Sequence, residues 1–176
     1  MAPFFLRLAR PRRLLRGEPV PAYRTAMHFL LYLFVAAAAP AVLSFDQTAK
    51  LERVVIDTKK GEHVFMVEVV REEKDRNRGL MFRQSLPDNG GMLFDYDPPQ
   101  EIAFWMKNTY IPLDIVFIDG RGHIITIAEN TTPLSLERIP SSGLARGVLE
   151  VKGGTSARLG IKIGDVVHHA LFDPAK

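Results

Sequence analysis

A mostly β domain on the margin of the α+β class is what this sequence predicts: an antiparallel β-sandwich or partly open barrel with one or two short helices. Apolar residues come in short runs of strand length, several alternating with period two. Groups rich in Gly, Pro, Asn and Asp separate those runs. Only two brief stretches, near 72–79 and 155–159, combine helix formers with end signals. The 176 residues suggest one domain.

In chain order, residues 51–56 and 63–70 are two apolar runs around a turn in which Gly61 is free to take a positive φ. In the second run Phe65, Val67 and Val69 share one face; Val64, Met66, Glu68 and Val70 share the other. Both faces are largely apolar, which predicts a central strand. Charged residues from about Glu72 predict a short surface helix closed near Gly79. Leu80, Met81 and Phe82 then return to the core, residues 87–91 turn, and 92–94 form a short buried strand.

Residues 95–100, with two prolines, read as loop, and 102–106 as strand. Residues 113–118 and 123–128 form a second hairpin about the turn at 119–122. Residues 129–144 lack periodicity and read as a long surface loop of the kind that borders sites. Residues 147–151 follow as a strand with Glu150 on the face of Val148. Then come a helix at 155–159 with Thr155 as N-cap and a last strand at 166–171.

The N-terminus differs in character. Before residue 41 stand six arginines and one acid, Glu18; without them 17 basic and 19 acidic residues remain, a net charge of −2. The basicity therefore belongs to the leader, and a nucleic-acid role loses its electrostatic support. The Arg-rich segment runs into an apolar stretch at 29–39 and the small-residue step Ala39-Pro40-Ala41. That order predicts a signal peptide over 1–41, a short linker at 42–52 and a single β-rich domain at 53–172. The expected location is periplasmic or secreted, with no membrane span after cleavage. An uncleaved anchor is the alternative, although 29–43 falls short of the ~20 residues a span requires. The absence of cysteine excludes disulfides, thiolate metal sites and a cysteine nucleophile.

Four ordered motifs occupy this domain: D-R-N-R-G-L-M-F-R at 75–83, G-M-L-F at 91–94, F-W-M-K-N-T-Y-I-P-L-D at 104–114, and V-L-E-V-K-G-G-T at 148–155. Together they resemble the domain-of-unknown-function family number 192 over residues 53–167. The Glu-Arg pair usual in that family before G-L-M appears here as Asp75-Arg76. The resemblance implies a compact β-rich domain, often exported in bacteria. It brings no established activity and no catalytic residues.

Three carboxylates, Glu68, Asp114 and Glu150, interrupt otherwise apolar strands. Buried and unpaired, each would cost several kcal/mol, so each must be exposed, paired or used. One reading has Arg76, Arg78, Arg83 or Lys107 neutralise them in a network that fixes strand register. A second makes them a ligand site with Trp105, Lys107, Asn108, Arg76 and Arg83, where an indole face and polar groups suit a sugar or an amine. A third is a hydrolase acting on envelope glycans, which needs two of the carboxylates to converge at roughly 5–10 Å. Met81, Met92 and Met106 offer soft ligands for Cu(I), though methionine more commonly fills core gaps. His168 and His169 point to opposite faces and predict an exposed strand end rather than a metal site. No hydrolase elbow, zinc or nucleotide motif occurs. The expectation is a monomer without cofactor, partnered by a small molecule or an envelope component.

Overall fold

The computed structural model describes residues 50–172; the expected signal peptide and most of the linker lie outside them. The elements, in order, are β1 (Leu51–Thr58), β2 (Gly61–Val70), α1 (Glu73–Arg78), β3 (Gly90–Phe104), β4 (Leu113–Ile118), β5 (Ile124–Ala128), β6 (Ile139–Lys152), α2 (Thr155–Leu159) and β7 (Val166–His168). Among the described residues the seven strands form one sheet in the order β5-β4-β6-β3-β2-β1-β7. Its two ends meet. His123 bridges to Val166, and the Val167 N–H donates to the Gly122 carbonyl at 2.7 Å. A Cβ on Gly122 would stand 2.6 Å from the Val167 carbonyl oxygen, so the approach requires glycine.

The mostly β, nearly closed barrel with two short helices follows the sequence-based expectation, with one departure in strand direction. β2 and β3 are parallel, Met66 opposite Gly90 through Val70 opposite Phe94. A parallel pair needs a crossover, and α1 with the following segment supplies it.

All seven strands contribute side chains to one core, which includes Val54, Phe65, Leu93, Leu149, Ile118 and Val167 and fills the barrel. A second core lies on the outer face of β3, β4 and β6, where Met92, Phe94, Ile115, Phe117 and Val148 meet Leu80, Leu86 and Met106 from the connecting segments. The chain therefore has a barrel wall that is apolar on both sides over part of its surface. The wall continues as sheet where the sequence predicts loop. Residues 95–100 belong to the 15-residue strand β3, and 139–144 to the 14-residue strand β6. The prolines at 98 and 99 are tolerated because the β3–β6 pairing is interrupted between Asp95 and Gln100 and resumes with Gln100 opposite Ala145. Neither stretch alternates in hydrophobicity, since pairing between these two strands rather than burial holds them extended.

Three local expectations are corrected. Phe82 does not return to the core with Leu80; it takes φ 66° and is 51% exposed. The N-cap of α2 is Gly154, in the left-handed region, and not Thr155. His169 is buried instead of ending an exposed strand: its Nδ1 accepts from the Leu171 N–H, leaving Nε2 to donate to Glu52 at 3.1 Å.

Candidate functional site

The barrel register decides which of the three strand carboxylates come together. Glu68 on β2 lies opposite Met92 on β3, Met92 opposite Glu150 on β6, and Glu150 opposite Ile115 on β4. Residues directly opposite one another share a face. Glu68 and Glu150 thus flank Met92 on the outer face, their Cα atoms roughly 10 Å apart at about 4.8 Å per strand. Asp114 precedes Ile115 and points to the other face. The sequence could not show this, because pairing partners are not encoded in spacing.

Asp114 is fully buried, and its partners are backbone groups. Its Oδ1 accepts from the N–H groups of Asn130 at 2.7 Å and Gly154 at 2.9 Å, and its Oδ2 accepts from Ser156 at 2.6 Å. The carboxylate takes the place of a side-chain cap for α2 and ties the β5–β6 connection to the barrel. Its capacity is spent on the fold, which separates it from the other two acids.

Glu68 and Glu150 are held differently. Arg83, from the segment that follows α1, donates to Glu68 Oε2 at 2.6 Å. Glu150 is 5% exposed, and its Oε2 is buried with no hydrogen-bond partner among the described residues. Burial pushes its carboxyl up to about 8, against the opposing pull of the Arg83 guanidinium. Gly91 allows β3 to approach here: a Cβ at that position would lie 2.5 Å from the Glu150 carbonyl oxygen.

Tyr96 joins the group, and sequence reading missed it because residues 95–100 look like loop. It lies on the outer-face register of Met92 and Phe94 and packs against the outer core. Burial raises its phenol to about 12, with Arg76 acting to lower it and Glu150 to raise it. The Arg76 guanidinium lies 5.0 Å over the Tyr96 ring and donates to the Asp95 carbonyl at 3.1 Å. Arg76 therefore reaches the cluster through Tyr96 and not through a carboxylate. Arg78 is exposed at the end of α1.

The polar step of the 104–114 motif forms a rim beside this cluster. The Phe82 N–H donates to the Asn108 carbonyl at 2.8 Å, and the Asn108 amide to Met81 Sδ at 3.8 Å. The Phe82 and Tyr110 rings meet edge to face at 6.1 Å. Trp105 is 47% exposed and carries Lys107 Nζ 5.2 Å above its ring. Phe82 and Asn108 both have positive φ, 66° and 57°, which is uncommon for a bulky residue such as Phe82 and less so for an asparagine. Two of the methionines serve packing. Met92 and Met106 are buried in the outer core, and Met106 Sδ accepts from the Thr131 hydroxyl at 3.1 Å. Two shallow clefts of about 300 Å³ lie elsewhere, one lined by His63, Asp88 and Arg158 and the other by Glu101, Arg138 and Ser141.

Comparison with known proteins places these residues in context. Residues 54–169 match the family DUF192, described as an uncharacterised ACR. Two crystal structures share the fold. A protein of unknown function from Novosphingobium aromaticivorans is 42% identical, with a TM-score of 0.67, over 68% of this chain and 85% of that one. A Sinorhizobium meliloti protein provisionally named a transcription regulator is 41% identical, with a TM-score of 0.67, over 69% and 95%. No curated protein matches the chain.

Proposed function

The chain belongs to the DUF192 family, and on that footing we propose that it is an exported small-ligand-binding module whose site is the Glu68–Arg83–Glu150–Tyr96 cluster beneath the 105–110 rim. The observation that carries this reading is the Glu150 carboxyl: buried, raised to about 8, and left with one oxygen that has no partner among the described residues. A group serving only to fix register would be expected to have both oxygens satisfied, as Asp114 has. A buried, unsatisfied acid lowers stability, and such losses concentrate where a site is kept ready for a partner.

The hydrolase reading finds less support. It needs two carboxylates converging in an open cleft, whereas Asp114 faces away, Glu68 is engaged by Arg83 and Glu150 is enclosed. The regulator name given to the Sinorhizobium relative is not carried over, because residues 41–176 bear a net charge of −2. Export rests on the Arg-rich segment, the apolar stretch at 29–39 and the small-residue step after it.

A thermal-shift screen of the protein against sugars, amines, nucleotides and metal ions tests the reading. At least one class should raise the Tm, and Glu150→Met should abolish that rise while leaving the protein folded. No stabilisation by any class would leave the cluster a structural network.

A further inference from the structure

The chemistry of the cluster narrows what it can hold. Among the described residues, four polar groups gather around the Glu150 side chain: Glu68 from β2, Arg83 from the segment after α1, Tyr96 from β3 and, over the Tyr96 ring, Arg76 from α1. On the β4 side the neighbour is Ile115, which is apolar. Glu68 and Arg83 already balance in charge, and Glu150 is uncharged below about 8. An ammonium ligand would meet the Arg83 guanidinium, and a carboxylate ligand would meet Glu68. A hydroxyl meets neither penalty, since it both donates and accepts and so matches a carboxylic acid.

We propose that the cluster takes a neutral polyhydroxylated ligand, a saccharide, with one hydroxyl seated on the unpartnered Glu150 oxygen and a sugar face against the aromatic rim. This rests on the reading that the cluster is a ligand site. The rim supplies what a sugar ring needs beyond hydrogen bonds. Phe82, Trp105 and Tyr110 are 51%, 47% and 44% exposed, and Phe82 is the residue next to Arg83. Flat apolar faces bordered by polar tips suit the CH-lined face of a pyranose, as they suit other amphipathic partners. Arg83, in the 80–83 segment, lies close enough to Glu150 to act on its charge. That segment is held by the Phe82–Asn108 backbone bond and the Arg83–Glu68 pair.

Trp105 is the only tryptophan, which makes its fluorescence a reporter of binding at the rim. The full chain is titrated at pH 6 with glucose, N-acetylglucosamine and their trisaccharides, then with spermidine and ethanolamine, then with succinate and citrate, with calorimetry alongside. The expected result is saturable binding of a saccharide. Glu150→Gln, which stays uncharged and keeps a donor and an acceptor, holds the affinity within about threefold. Glu150→Met weakens it about tenfold or more, the scale of one buried hydrogen bond. Affinity should be level from pH 5 to 7 and fall above about 8, where Glu150 ionises. Binding of an amine or a dicarboxylate that Glu150→Met abolishes, with no saccharide bound, overturns the saccharide assignment and leaves the ligand site standing. Failure of every probe, or saccharide binding indifferent to Glu150→Met, overturns both.

Discussion

Replacing Glu150 by glutamine changes how stability depends on pH, and the structure sets the size of the change. Burial lifts the carboxyl from 4.5 to about 8 in the folded protein, with Arg83 opposing. Between those values the folded state holds a proton that the unfolded state has released. Stability therefore falls as pH rises, by about 1.4 kcal/mol per pH unit. Below pH 4.5 Glu150 is protonated in both states and contributes no slope; above about 8 it is ionised in both, and the loss is complete. The total is on the order of 4–5 kcal/mol, and roughly 3 kcal/mol of it is already felt at pH 7. The Glu150→Gln variant has no proton to release at this position and lacks this slope. Urea unfolding of both proteins at pH 5, 6, 7 and 8 reads the difference directly. The stability of Glu150→Gln relative to wild type should climb by several kcal/mol over that series. Parallel stability curves would refute the buried, uncharged assignment and imply that Glu150 is ionised and paired at pH 5.

Three other outcomes follow from the geometry. Asp114→Asn removes the charge and one acceptor from a side chain that receives three backbone N–H groups, and should cost about 3 kcal/mol; calorimetry should show a Tm roughly 10 °C lower. Gly91→Ala drives a Cβ to within 2.5 Å of the Glu150 carbonyl oxygen, whereas a Cβ on Gly120 meets nothing nearer than 3.7 Å. Denaturant midpoints should separate the two, with a loss of about 2–3 kcal/mol for the first and little for the second. Expression of the full chain in a Gram-negative host, followed by mass spectrometry of the periplasmic fraction, should find a mature form beginning just after Ala41 or Ser44; an intact chain confined to the cytoplasm would contradict export.

The legible part of this fold was whatever alternation and turn chemistry encode. The 51–70 and 113–128 hairpins, α1 and its closing Gly79, and the barrel class all announce themselves locally. What stayed hidden depends on partners distant in sequence. Residues 95–100 and 139–144 are strand because β3 and β6 pair along their length, Asp95 opposite Gly147, Gln100 opposite Ala145 and Phe104 opposite Ile139, and not because either alternates. The parallel β2–β3 pairing could not be seen in either run alone. The same divide runs through the site. Glu68, Asp114 and Glu150 stood out as acids on apolar strands, yet only the register shows that the first and third share a face and the second does not. Arg83 was a candidate among four basic residues until its position beside Glu68 selected it. Tyr96 carried no signal, being one aromatic flanked by two aspartates and followed by two prolines.

The central claim is that Glu150 waits as an uncharged acid for a hydroxylated ligand. It is tested most directly by following the Glu150 side-chain carboxyl carbon by NMR across pH 4 to 10, with and without a saturating saccharide. The midpoint should lie near 8 in the free protein and higher in the complex, because the ligand favours the protonated form. An ordinary carboxylate midpoint near 4.5, unmoved by the saccharide, would contradict it.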